Sequence, residues 1–161
     1  MNRRRLDFEA MRDSCLAVSG RLDTAFGGRP VDIEKTPFSN RRSVYAFIDR
    51  NNFPGLFRTF DLPTPDTSSP QRPETIVPQQ ALYGLNSPFI QEISAATASR
   101  VLSTGPKTSR EQIVRLYRTV LSRSPTASET SLAETYLAAH PTALAQLAQT
   151  LILTNEFWFV D

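Results

Sequence analysis

Six of the twelve prolines in this 161-residue chain fall between residues 57 and 89, in FRTFDLPTPDTSSPQRPETIVPQQALYGLNSPF. A proline fixes φ and withholds an N–H, so this stretch can be neither a central strand nor the interior of a long helix. A flexible tether would be polar throughout. Here only residues 61–73 are, whereas FPGLFRTF before them and residues 76–85 after them are rich in large apolar side chains. The segment is therefore expected to be a stiffened strap whose ends sit in the core. Each proline removes freedom from the unfolded chain, worth about 0.4–1 kcal/mol where the native backbone suits it.

Around the strap the periodicity is helical. Phe8, Met11, Cys15, Val18 and Leu22 predict a helix over 7–20, with Asp7 as N-cap and Gly20 as stop. Residues 41–50 are read as an extended start at 43–45 running into a helical turn. Pro78 and Pro88 suit first helical turns, with Ser87 as an N-cap. Thr108 with Glu111, and Thr126 with Glu129, have capping-box spacing. A last helix begins at Pro141 and turns Leu144, Leu147, Ala148, Leu151 and Ile152 inward. The last three helices, joined by turns of a few residues, should pack as antiparallel neighbours, and with those before them they predict a mainly α bundle of about five or six helices with a long ordered proline-rich loop and little or no β. The closing aromatics Phe157, Trp158 and Phe159 are expected to fold back on the bundle, since exposed they would aggregate. Residues 1–161 form one helical domain, with 61–77 as the loop within it.

Charge narrows function more than it specifies it. Residues 1–73 carry a net +3 and residues 74–161 a net −1, with basic and acidic residues interleaved. That is solvated surface, not the basic stripe of a nucleic-acid binder. No apolar run reaches the length of a membrane span, so no membrane insertion is expected. Cys15 is the one cysteine; it falls on a core-facing position, and no CxxCH element for haem attachment exists. His140 has no second ligand at metal spacing and reads as a helix-end residue. No residue constellation identifies a reaction.

The candidate site residues cluster on the strap. Arg41, Arg42, Arg58 and Arg72 surround it, Asp61 and Asp66 lie within it, and Gln79 and Gln80 open the helix that follows. In one reading the arginines form an anion site, and Arg42, Asp61, Asp66, Arg72 and Gln79 surround one cleft that takes anionic polysaccharide. In the other they pair with Asp49, Asp61 and Asp66 and fix the strap to the bundle, while the glutamines satisfy its carbonyls.

The blocks NRRRLDFEAMRDSCLAVSGRLD, RRSVYAFIDRNNFPGLFRTFD, PDTSSPQR, VPQQALYGLNSPF, LYRTVLSRSPTASE and LILTNEFWFVD together resemble domain of unknown function 1553. This is the C-terminal domain of planctomycete-type exported proteins that often carry a cytochrome c domain. The resemblance implies a C-terminal piece of a larger domain, an extracytoplasmic location (no signal peptide lies in this stretch), and partners among the other domains of the same polypeptide. It implies no catalytic residues and no cofactor or metal in this chain, with haem c, where present, held by another domain. The expected function is a non-catalytic scaffold or interaction module, with anionic polysaccharide binding or hydrolysis at the Arg/Asp/Gln cleft as the alternative.

Overall fold

The computed structural model describes residues 4–66 and 68–160. Among them are eight α-helices, six of them nine residues or longer, and one two-stranded antiparallel sheet. Strand β1 (Arg4–Arg5) leads into α1 (Phe8–Ser19); a long irregular segment follows to the short α2 (Gly55–Thr59). The strap then reaches α3 (Pro78–Asn86), α4 (Pro88–Ser103), α5 (Ser109–Leu121), α6 (Ala127–Ala139), α7 (Leu144–Ile152), α8 (Asn155–Trp158) and β2 (Phe159–Val160). The fold is mainly α, as the periodicity predicts.

Helix α4 is the hub, packing on α7 most extensively and on α1, α5 and α3 as well. Its Phe89, Ile90, Ile93, Ala98 and Val101 are buried, and so are Ser94 and Thr97. Those two hydroxyls donate back to the Ile90 and Ile93 carbonyls at 2.7 and 2.8 Å, so neither polar group is orphaned. Helix α7 turns its five predicted apolar residues inward, but onto α4 and α5. The short loops do make α5 and α6 neighbours.

Local signals set the helix ends unevenly. Thr126 and Glu129 form a complete capping box, whereas Thr108 accepts from Glu111 N–H and the Glu111 carboxylate turns to Lys107 N–H at 2.7 Å. Asp7 and Ser87 occupy N-cap positions without capping through their side chains. Gly20 ends α1 with a left-handed φ of 76°, and Arg100 closes that end by donating to the Ala17 and Val18 carbonyls at 3.0 and 2.9 Å. A cation at a helix C-terminus also complements its dipole.

Three expectations change. Residues Ser43–Tyr45 are a 3-10 turn, and the extended part follows it, where Val31 and Ala46 bridge in parallel. Val31 N–H donates to the Tyr45 carbonyl and Phe47 N–H to Val31, so pairing with the 31 segment straightens the chain after the turn. The far anchor of the strap also differs. Phe53, Phe57 and Phe60 are buried as expected, but Ile76, Leu82 and Leu85 are more than half exposed. What α3 buries is Gln80 and Gly84, because Leu153 and Trp158 press on the glycine so closely that a Cβ there would meet Leu153 Cδ2. Finally, Phe159 and Val160 do more than fold back: they pair with Arg5 and Arg4 as a strand.

An aromatic chain runs through the interior. Ring centroids lie 5.5 Å apart for Phe8 and Phe57, 5.2 Å for Phe8 and Phe60, 5.4 Å for Phe60 and Tyr83, and 5.9 Å for Phe60 and Trp158. Trp158 Nε1 donates to the Ile152 carbonyl at 2.6 Å. It thus joins the C-terminus to α2 and α7 through both packing and a hydrogen bond. Trp158→Ala should destabilise the fold by roughly 3–5 kcal/mol, measured by urea denaturation; a loss under 1 kcal/mol would show that the C-terminal segment is only loosely attached.

Candidate functional site

Asp61 is the residue on which the strap turns. It follows α2 with φ 61°, a left-handed conformation usually left to glycine. Asp61 N–H donates to the Arg58 carbonyl at 3.1 Å and Leu62 N–H to Phe57 at 2.9 Å, the paired bonds of a Schellman ending. Aspartate tolerates this backbone better than most residues, and its side chain is what a glycine would lack. Its Oδ2 accepts from Arg5 Nη2 at 2.8 Å and from Thr75 N–H at 2.9 Å, and Oδ1 from Thr75 Oγ1 at 2.6 Å. Arg5 also donates to the Thr75 carbonyl and to Gln80 Oε1. Gln80 Nε2 in turn donates to the Thr59 carbonyl at 2.8 Å and to Thr75 at 3.1 Å. One knot therefore ties β1, the end of α2, the far end of the strap and the first turn of α3.

The Arg5 and Asp61 side chains are only 8% and 9% exposed. Burial pushes the Asp61 carboxyl up, but the hydrogen bonds from Thr75 and Arg5 outweigh it and hold the group below the ordinary carboxylate value.

The remaining strap contacts are ionic. Arg72 grips Glu9 with both terminal nitrogens, at 2.8 and 3.0 Å, and lies 3.7 Å from Asp7. Arg4 pairs with Glu74 at 3.0 Å. Arg42 meets Asp13 at 3.3 Å, while Asp13 also accepts from Ser43 N–H at 2.7 Å. Arg42 and Arg72 line one cleft of about 310 Å³ with Asp7, Glu9 and Asp13, so its cations already face carboxylates.

The named residues are thus divided among several places. Asp61 and Gln80 share the knot, and Arg42 and Arg72 share the acidic cleft. Gln79 lines a separate cleft beside residues 33–38. Arg58 lies 5.7 Å from the centre of the Phe53 ring, and Arg41 lies 4.2 Å from that of Tyr45 while donating to the Gly27 and Arg29 carbonyls. Asp66 is exposed and makes no ion pair among the described residues. The carboxylate partners of Arg42 and Arg72 come from α1 and the residue before it; Asp49 instead accepts from Asn51 N–H.

Sequence reasoning passes over two residues that do much of the holding. Arg5 is one of three consecutive arginines and looks like solvated charge. Arg12 is 1% exposed, donating to the Ser39 carbonyl at 2.6 Å, to Arg41 at 3.2 Å and to Ser43 Oγ at 3.3 Å, with its guanidinium 4.7 Å from the Phe89 ring centre. The signal was present: Phe8, Met11, Arg12, Cys15 and Leu16 fall on one helical face, so position 12 is a core position.

Cys15 and His140 lie away from the knot and the acidic cleft. Cys15 is fully buried, which pushes its thiol up to about 12. His140 is the C-cap of α6, its ring 5.3 Å from Tyr136. Among the described residues no three His, Cys, Asp or Glu side chains gather as a metal site, and no helix is long and apolar enough to cross a membrane.

A second surface feature adjoins the knot. A groove of about 440 Å³ is walled by Ile76, Val77, Leu85, Leu153, Trp158 and Phe159, with Arg5 and Gln80 at its base.

The family model for a protein of unknown function (DUF1553) matches residues 1–137. No curated protein and no solved structure matches the chain.

Removing the Asp61 carboxylate leaves Arg5 a partly unpaired buried cation. Asp61→Asn, which retains tolerance of the left-handed backbone, should cost about 2–3 kcal/mol at pH 7; Asp66→Ala should stay within about 0.5 kcal/mol. Because the folded carboxyl titrates below its unfolded value, its contribution is complete above about pH 4 and fades as pH falls through the folded value. The gap between wild type and Asp61→Asn should therefore close on acidification, as read from urea midpoints between pH 7 and 2. A gap that stays constant would mean the charge of Asp61 is irrelevant.

Proposed function

The chain belongs to the PSD1 family of proteins of unknown function (DUF1553), and from that premise we propose that it is a non-catalytic scaffold or interaction module of a larger exported multidomain protein. Its partners are other domains of the same polypeptide. The observation that carries this reading is the internal neutralisation of the strap. Arg4, Arg5, Arg42 and Arg72 each face a carboxylate of the chain itself. A site built to act on a charged substrate keeps its charges available; here they hold the strap in place.

One apolar surface beside the knot stays open to a partner. Ile76 and Leu85 project from the residue pair before α3 and from α3 itself, at 77% and 55% exposure. On a rigid element, such side chains are contact points of the kind that domain interfaces bury. The anionic polysaccharide reading has less support, because an incoming sulfate or carboxylate at Arg42 and Arg72 would meet Asp7, Glu9 and Asp13. No observation of this structure favours nucleic acid as a partner.

Hydrogen exchange checks the module reading directly. In the full-length polypeptide, amides 76–85 should exchange at least tenfold more slowly than in the isolated chain, and Leu85→Lys should erase that difference. Equal exchange in both contexts would overturn the reading. Titration with a sulfated oligosaccharide should leave the Tm of the isolated chain unchanged at physiological salt; a saturable rise would transfer support to the glycan alternative.

A further inference from the structure

A cleft of about 590 Å³ opens between residues 33–38 and the corner of α3 and α4, and Glu34 is the one ionised side chain in its lining. Three described carboxylates, Glu34, Asp66 and Glu134, have neither an ion-pair nor a hydrogen-bond partner among the described residues. Of these only Glu34 lines one of the three clefts described above. Lys35, beside it in sequence, is taken by Asp32 at 3.1 Å. Asp32 also accepts from the N–H groups of Glu34 and Lys35, at 2.9 and 3.2 Å, which fixes the turn that carries the glutamate. Burial, and secondarily the charge of Asp32, pushes the Glu34 carboxyl up from its ordinary value. An acid at a cleft mouth with no cation of its own invites one.

The facing wall has matching chemistry. Gln79, Leu82 and Asn86 lie at i, i+3 and i+7 on one face of α3, and all three are exposed. Neither amide side chain hydrogen-bonds to another of the described residues. Phe38 and Phe89, packed edge to face at 5.5 Å, close the apolar side. The volume falls within the range of small-ligand sites, roughly 300–1,000 Å³. An anion would be repelled by Glu34. A purely apolar guest would strip water from that carboxylate and give nothing back. A cation with an apolar stem meets both demands, as lysine and arginine side chains do where they lie along apolar surface.

We propose that this cleft binds an organic cation, an ammonium or guanidinium group on an apolar stem. The head pairs with Glu34, the amide oxygens of Gln79 and Asn86 accept its other N–H groups, and the stem rests on Leu82, Phe38 and Phe89. This site is separate from the groove beside Trp158 and does not depend on the module reading. The cation can come as a free amine or as a basic side chain of a polypeptide.

Titrations followed by amide chemical shifts decide the matter. n-Butylguanidinium and n-butylammonium should each saturate shifts confined to residues 33–38 and 79–89, and butyrate should give none. n-Butanol should bind at least about tenfold more weakly than either cation. Glu34→Gln, an exposed substitution whose folding is verified by its Tm, should weaken both cations about tenfold and leave butanol unaffected. A blocked peptide with one central arginine separates the sources. Binding tenfold tighter than butylguanidinium assigns a polypeptide side chain, and equal or weaker binding assigns a free amine. Absence of shifts with either cation, butanol binding as tightly as the cations, or unaltered cation binding by Glu34→Gln would overturn the proposal.

Discussion

The fold depends on one buried charge pair more than on any other polar contact. Arg5 and Asp61 lie 56 residues apart, and their 2.8 Å contact joins the first strand to the end of α2. The same two side chains engage Thr75 at both its N–H and its carbonyl, which returns the strap to within one turn of α3. A buried ion pair gains little over an apolar pair of equal volume unless its remaining donors and acceptors are satisfied. Here they are, through Gln80 and Thr75. Without the knot, the closure entropy of residues 61–77 would be offset only by exposed or half-exposed ionic contacts. With it, the loop is bounded by two fixed points, and Arg72 and Arg4 add ionic contacts between them.

This arrangement explains why the helices were legible in the sequence and the strap's attachment was not. The helix stops and starts are local. Gly20, Pro78, Pro88 and the Thr126–Glu129 box act within four residues, and an apolar period can be counted along a line of text. The attachment is non-local. Nothing near Arg5 distinguishes it from its neighbour Arg4, although Arg5 is buried against Asp61 and Arg4 is exposed beside Glu74. The strap's internal acids divided in the same way. Asp61 became structural because the end of α2 points it inward, while Asp66, five residues on, stays in solvent. Proximity in sequence made the two look like a pair; the backbone turn between them separated their fates.

Helix α3 shows why an apolar count alone misplaces a face. Its nine residues meet three surroundings: Gln80 and Gly84 look into the core, Ala81 and Leu85 toward the groove beside Trp158, and Gln79, Leu82 and Asn86 toward the cleft beside Glu34. Counting apolar residues would bury the leucines and expose the glutamine. The opposite occurs because the interior next to α3 is already filled by Phe60 and Trp158, on the first of which α3's own Tyr83 packs, and what it lacks is an amide to satisfy the Thr59 and Thr75 carbonyls. Once Gln80 supplies that amide, the 100° step between helical residues carries the leucines outward.

Arg12 extends the same logic to residues 21–54, which have little regular structure. Among the described residues no carboxylate bonds directly to its guanidinium; three oxygens of the 39–43 segment do, and the Phe89 ring lies beside it. Desolvation accordingly lowers its pKa, yet it starts so far above neutrality that the cation persists. A cation bonded to backbone carbonyls constrains the chain path, since residues 39 and 41 must both present their carbonyls to one guanidinium. Arg100 at the end of α1 and Arg41 at the Gly27 turn use the same chemistry. In this protein arginine does what sheet hydrogen bonds do elsewhere: it gives irregular backbone its partners. The aspartates of these segments complete the scheme by accepting backbone N–H groups, Asp23 from Ala25, Asp32 from Glu34 and Lys35, and Asp49 from Asn51. Glu34, carried on the same irregular region, has no such task and lines a cleft without a cation among the described residues.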